Sequence, residues 1–220
     1  MCSSDLKQGF LARLFGPREP RAQAPGQAAG AAATPRGRTI GPGAPKPINQ
    51  LAHPGVQLGN GKSTIAEAGC FLSSCTMASN LLHPGQSLGA VEANRRVKAQ
   101  GGFAGSGLEL SRAAPALGMQ QVSRRPLGGV NDGTVLARLD QHLAAGKPAV
   151  AGVDFRAGRS SGHSDADHFI TIYGKRGNDY LAMDPAGGQP VTISRGTDGR
   201  LTYRGASDYK LSEVLLLDRR

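Results

Sequence analysis

Cysteine is scarce in this chain. Cys2, Cys70 and Cys75 are the three among 220 residues, and an odd handful of this kind gives no disulfide framework. The fold must therefore stand on its own apolar core, and composition leaves the compartment open. Aromatic residues are also few, ten in all with no tryptophan, and Lys and Arg are scattered among them. Stacking platforms for nucleic acid are not expected from such a pattern. No apolar run approaches the roughly 20 residues that a bilayer-spanning helix needs, so no transmembrane segment is expected. Acidic residues are outnumbered, 16 against 26 Lys and Arg, for a formal charge of +10. Residues 1–47 hold seven of the cations against Asp5 and Glu19, so half of the excess sits in that stretch. Neither part reads as a basic patch. A weak attraction to anionic surfaces such as cell wall or membrane is the use composition gives this charge.

What is present divides unequally. The first six residues, Met-Cys-Ser-Ser-Asp-Leu, match the translation of a common sequencing-adapter end. They are set aside from fold reasoning, with the natural N-terminus expected elsewhere. Lys7 to Phe15 spaces Phe10, Leu11, Leu14 and Phe15 helically but is too short to span a bilayer and lacks a secretory cleavage pattern. From Gly16 to Pro47, Ala, Pro, Gly and Arg dominate, and there is little to bury. Residues 1–47 thus read as a disordered tail or linker, of a kind that precedes secreted or translocated bacterial domains. Residues 48–220 form the domain, long enough to bury roughly 70% of its unfolded surface.

Within that domain the stretch Gly69-Cys70-Phe71-Leu72-Ser73-Ser74-Cys75-Thr76-Met77-Ala78-Ser79-Asn80-Leu81-Leu82 carries apolar and small residues at three- and four-residue spacings. That is the period of a helix face. Cys70 falls on the first turn, where unpaired N–H groups and the positive end of the helix dipole pull a thiol below its usual value of about 8.5. Asp167 to Gly174 then alternates as a half-buried strand with His168 near its start, and Tyr180 to Pro185 follows as the next strand, carrying Asp184. A nucleophilic thiol needs an imidazole to take its proton, and the imidazole needs a carboxylate or amide to hold its tautomer. The chain supplies one of each, in the order Cys, His, Asp.

The segments TIAEAGCFLSSCTMASNLL, DHFITIYG and YLAMDPAGG resemble the papain-like cysteine peptidases of the bacteriocin-processing (double-glycine leader) peptidase-like family. The resemblance spans roughly residues 48 to 220. Many members place Gly-Pro directly after the Cys; here Phe71-Leu72 follows, as in a subgroup with Gly before the Cys. The resemblance implies an α+β fold, with N-terminal helices, the Cys helix among them, packed on a C-terminal antiparallel β-sheet. It implies Cys70 as nucleophile, His168 as general base and Asp184 as orienting acid. Gln50, rather than Gln57, is implied as the side chain that joins the Cys70 N–H in an oxyanion hole. A monomer that cleaves peptide or amide bonds, in a protein or in cell-wall peptide, without cofactor or metal, is the expected activity. A binding module that keeps the fold without chemistry, or a translocated effector or toxin domain, are the competing readings.

Other features read more simply. Gly59-Asn60-Gly61-Lys62-Ser63-Thr64 looks like a phosphate loop, but the first required glycine falls on Val56 and no buried strand precedes it. Residues 83–146 are expected to be helices: one over Gly85 to Gln100 with Leu88, Val91 and Val97 on one side, a shorter one over Gly107 to Gln120 broken at Pro115, and one over Val135 to Leu143. His83 and His142 read as surface residues. Pro148 to Phe155 reads as a central strand, and Arg156 to Ala166 as a lid. His163, Asp165, Asp167 and His168 invite a metal, but alternate residues of a loop fix no geometry and no distant ligand completes a tetrahedron. Cys75 lies too far around the helix from Cys70 for an unstrained disulfide and is expected in the core.

Overall fold

From Ala149 onward the described residues fold chiefly as a sheet. The structure is a computed structural model and describes residues 39–127, 133–154, 166–195, 201–203 and 210–220, all within one compact unit, Arg38–Arg220. Five strands follow one another after the apolar β5 (Ala149–Asp154): β6 (His168–Arg176), β7 (Asp179–Asp184), β8 (Gln189–Arg195), β9 (Leu201–Tyr203) and β10 (Lys210–Arg219). All pair antiparallel, in the order β6-β5-β10-β9-β8-β7, and β7 pairs back with β6. The sheet therefore curls until it closes on itself as a ring of six strands.

Alternation along each strand separates two cores. Ala149, Ala151, Val153, Ile170, Ile172, Ala182, Ile193, Val214 and Leu216 meet inside the ring. Val135, Leu139 and Leu143 join them from α5 (Gly133–Ala144). The intervening Val150, Met183, Leu215 and Leu217 face outward and pack with the N-terminal helices. These are α1 (Ile65–Ala68), α2 (Cys70–Leu82), α3 (Ala90–Ala99) and α4 (Leu110–Ala116). A mixed α/β fold results, with helices on the N-terminal side and a curled antiparallel sheet on the C-terminal side. That part of the expected α+β arrangement stands.

At the centre of the outer core lies α2. A single apolar face was the expectation, but residues all round it are buried: Leu72, Ser73, Ser74, Cys75, Thr76, Met77, Ala78, Ser79 and Leu82. Some of the small polar side chains turn their hydroxyls onto carbonyls: Ser79 Oγ donates to Leu117 O at 2.7 Å and Thr76 Oγ1 to Leu72 O at 2.7 Å, whereas Ser73 Oγ has no hydrogen-bond partner among the described residues. A helix covered on all sides cannot show a sharp amphipathic stripe.

Several local expectations are corrected. Val91 does not share the buried face of α3; Ala90, Ala93, Asn94 and Val97 do, and Val91 is 44% exposed. Small residues won that face because α3 packs close against α2. Residues 107–120 are not one broken helix. Gly107–Leu108 (β3) pairs with Phe103–Ala104 (β2), and α4 ends just after Pro115. From Met119 the chain becomes β4 (Met119–Pro126), paired with β10. Its mostly polar sequence gives no alternation signal, because β4 hangs outside the ring with Met119 as its only fully buried residue. His142 is no simple surface residue: its Nε2–H is shared between Pro148 O at 3.1 Å and Leu217 O at 2.9 Å. At the other end, Thr39–Ile40 (β1) pairs with Arg176 and Lys175 of β6, within the stretch that composition reads as tail.

Candidate active site

Two helices meet at one glycine. The four-residue α1 starts with a complete capping box, in which Thr64 Oγ1 accepts from Glu67 N and Glu67 Oε2 accepts from Thr64 N. It stops at Gly69, whose N–H donates to Ile65 O at 2.8 Å, and α2 begins at once with Cys70. A Cβ on residue 69 would stand 2.5 Å from Ile65 O and 2.7 Å from Ile65 Cγ2, so only glycine allows this abrupt turn. As N-cap of α2, Gly69 also brings no side chain that bonds the first N–H groups. The positive end of the helix dipole there favours negative charge at Cys70.

The start of α2 is pinned to the start of β6. Ser74, one turn beyond Cys70, donates from Oγ to Phe169 O at 2.9 Å, and Thr171 Oγ1 donates to Ser74 O at 2.9 Å. The Phe71 and Phe169 rings stack with centroids 4.1 Å apart at 16°. Phe71 follows Cys70 and Phe169 follows His168, so the stack and the Ser74 bond bring the Cys70 end of the helix beside the His168 end of the strand. Residues almost one hundred positions apart in the chain are thereby neighbours.

Next to His168 lies the end of β7. His168 Nε2–H donates to Asp184 Oδ1 at 2.7 Å, and each residue is 2% exposed. An ionised carboxylate only accepts, which assigns the proton to Nε2 and makes Nδ1 the atom suited to exchange a proton with a thiol. Asp184 Oδ1 also accepts from Ala186 N at 2.7 Å, so the Asp-Pro turn locks the carboxylate in place. Pro185 O in turn accepts from Gln50 N at 2.9 Å. That bond carries the 3₁₀ turn Gln50–Ala52 to the carboxylate side of the site.

Gln50 is 3% exposed, and its Nε2 donates to Ala66 O in α1 at 3.1 Å. The side chain is thus fixed between the Asp184 turn and the short helix leading into Cys70, with a second Nε2–H still to give. Its Oε1 is buried with no hydrogen-bond partner. Gln57 is exposed and bonds the Gly61 carbonyl within its own loop.

No family model matches the chain. A search of proteins of curated function also gives no significant match. The site is therefore read from its own geometry. Cys75, five residues on from Cys70, is sealed in the core; burial pushes its thiol far above the usual range. Neither Cys70 nor Cys75 is in a disulfide. Among the described residues no group of His, Cys, Asp or Glu could hold a metal ion, and no helix is long and apolar enough to cross a membrane. His163, Asp165 and most of the expected lid lie outside the described residues. The clamp residues Ser74, Phe169 and Thr171 were not singled out from sequence, because a serine inside a helix and a threonine in a strand carry no local mark of a shared bond. The Thr64–Glu67 capping box does carry one, in its Ser/Thr-x-x-Glu spacing.

Proposed function

We propose that this chain is a cysteine peptidase or amidase with a papain-like arrangement, as its likeness to the bacteriocin-processing peptidase-like family implies. The observation that carries the reading is the buried His168–Asp184 hydrogen bond of 2.7 Å beside the strand end that the Phe71–Phe169 stack and the Ser74 bond fasten to the Cys70 helix. A structural histidine needs no carboxylate held by its own turn and no uncapped helix N-terminus next door.

In this mechanism Cys70 loses its proton to His168 Nδ1, and the thiolate attacks the carbonyl carbon of a peptide or amide bond. Negative charge collects on the carbonyl oxygen, and the Cys70 N–H and the second Nε2–H of Gln50 receive it. His168 then passes its proton to the leaving amine, the C–N bond breaks and a thioester remains. Water, deprotonated by His168, attacks the thioester; the acid leaves and Cys70 returns as thiol. Asp184 keeps Nε2 protonated throughout and stabilises the imidazolium.

The test is the pH dependence of iodoacetamide alkylation at Cys70, read by peptide mass spectrometry in the native protein and in His168→Ala. Cys70 should react well below pH 8.5, the value of an ordinary thiol. His168→Ala should abolish that low-pH reaction, while Cys75 stays unlabelled in both proteins. If Cys70 titrates as an ordinary thiol and ignores His168, the catalytic reading fails and a binding module is the reading that remains.

A further inference from the structure

Away from Cys70, the fold gathers cations that the sequence scatters. Between β4 and α5 runs an open groove of about 580 Å³, lined by Arg124, Arg125, Arg138, Gln141, His142 and Lys147 and, among the described residues, by no carboxylate. It lies at the opposite end of β5 from the candidate active site: Lys147 precedes β5, whereas Val153 near its other end pairs with His168. Four residue steps separate Ala149 from Val153, roughly 13 Å of strand.

Two of the four cations are neutralised. Arg124 forks onto Glu213 at 2.6 and 2.9 Å, and Lys147 Nζ donates to Asp218 at 2.6 Å. Arg125 and Arg138 are exposed and make no ion pair with any described carboxylate, so their guanidinium charge is available. Exposed guanidinium forks suit carboxylates and phosphates alike. Backbone decides between these partners. β4 pairs on one side with β10 and with no other described strand, so its outer edge presents peptide N–H and C=O groups along Gln120–Arg125. An added peptide strand satisfies such an edge, with every second side chain turned to one face. Nucleobases would want aromatic platforms, and among the described residues none lines the groove.

We infer that the outer edge of β4, beside this groove, is a docking site for an extended acidic peptide, which adds to that edge and turns its carboxylates over β4 towards Arg125 and Arg138. The site does not depend on the chemistry of Cys70. A fluorescein-labelled octapeptide of alternating Glu and Val serves as probe, with the full-length protein, at low and at physiological salt. Fluorescence anisotropy should show binding, and Arg125→Glu/Arg138→Glu should weaken it at least tenfold. Lys62→Glu/Lys98→Glu, an equal charge change at exposed sites elsewhere, should leave it within twofold. Amide exchange over Gln120–Arg125 should slow in the complex. Circular dichroism checks that both variants fold; for the same reason single Arg125→Gln and Arg138→Gln variants are measured alongside and should each weaken binding. Equal loss in the two double variants would overturn the proposal in favour of net charge alone. Unchanged exchange in β4 would overturn strand addition. Tighter, Arg125-dependent binding of a single-stranded oligonucleotide would reassign the groove to nucleic acid.

Discussion

Gly69 shows how much one residue can fix. A methyl group there meets a backbone carbonyl of α1 rather than the loose end of a side chain, so relief requires the two helices to move apart. Overpacking of this kind costs roughly 1–3 kcal/mol. Gly69→Ala should lower the urea midpoint accordingly and slow alkylation of Cys70, because the displaced residue is the first of α2. Unaltered alkylation with lowered stability would mean that the junction supports the fold but not the thiol. Cys70 and Cys75 make the complementary point: two identical side chains on one helix differ because one stands at its uncapped end, 5% exposed, and the other at 0% in the core.

Among elements, the contact between α2 and β6 is decisive, and it rests on a reciprocal pair of hydroxyl bonds. Thr171→Val keeps the shape of the side chain but removes its hydroxyl bond to Ser74 O, and Ser74→Ala removes the bond to Phe169 O. Each change should cost on the order of 1 kcal/mol in urea unfolding. If the clamp positions Cys70 against His168, Thr171→Val should also slow Cys70 alkylation at neutral pH while leaving Cys75 unlabelled. A stability loss without a change in alkylation would show that the Phe71–Phe169 stack suffices. Helix α2 was legible in sequence at both ends, since Gly69 and the three- and four-residue spacing mark it. Its buried polar lining was not, because a serine that bonds across to a strand is written like one that faces water. β4 was missed for a related reason: an outlying strand with polar side chains takes its identity from β10, not from its own alternation.

Across the whole molecule, His142 ties α5 to the start of β5 and the end of β10 through carbonyls on each. Burial pushes its pKa below 6.5, a push partly opposed by those carbonyls. Between the depressed value and 6.5 the unfolded chain binds more protons than the folded one, so stability rises with pH across that window. The contribution is complete above about pH 6.5 and is lost as pH falls through the folded value. Urea unfolding between about pH 5 and 7.5 should show this rise, and His142→Gln should flatten it. Asp218, held low by Lys147, titrates in the acid range below that window. A slope unchanged by the substitution would assign the pH dependence elsewhere. By itself the sequence determined the alternation of β6, the helix that begins at Cys70, and the order in which a thiol, an imidazole and a carboxylate occur, since all of these are local patterns. Closure of the ring, the placing of Gln50 against the Asp184 turn, and the meeting of Arg125 with Arg138 were decided only by tertiary structure. Each depends on contacts between distant segments whose partners leave no periodic trace in the chain.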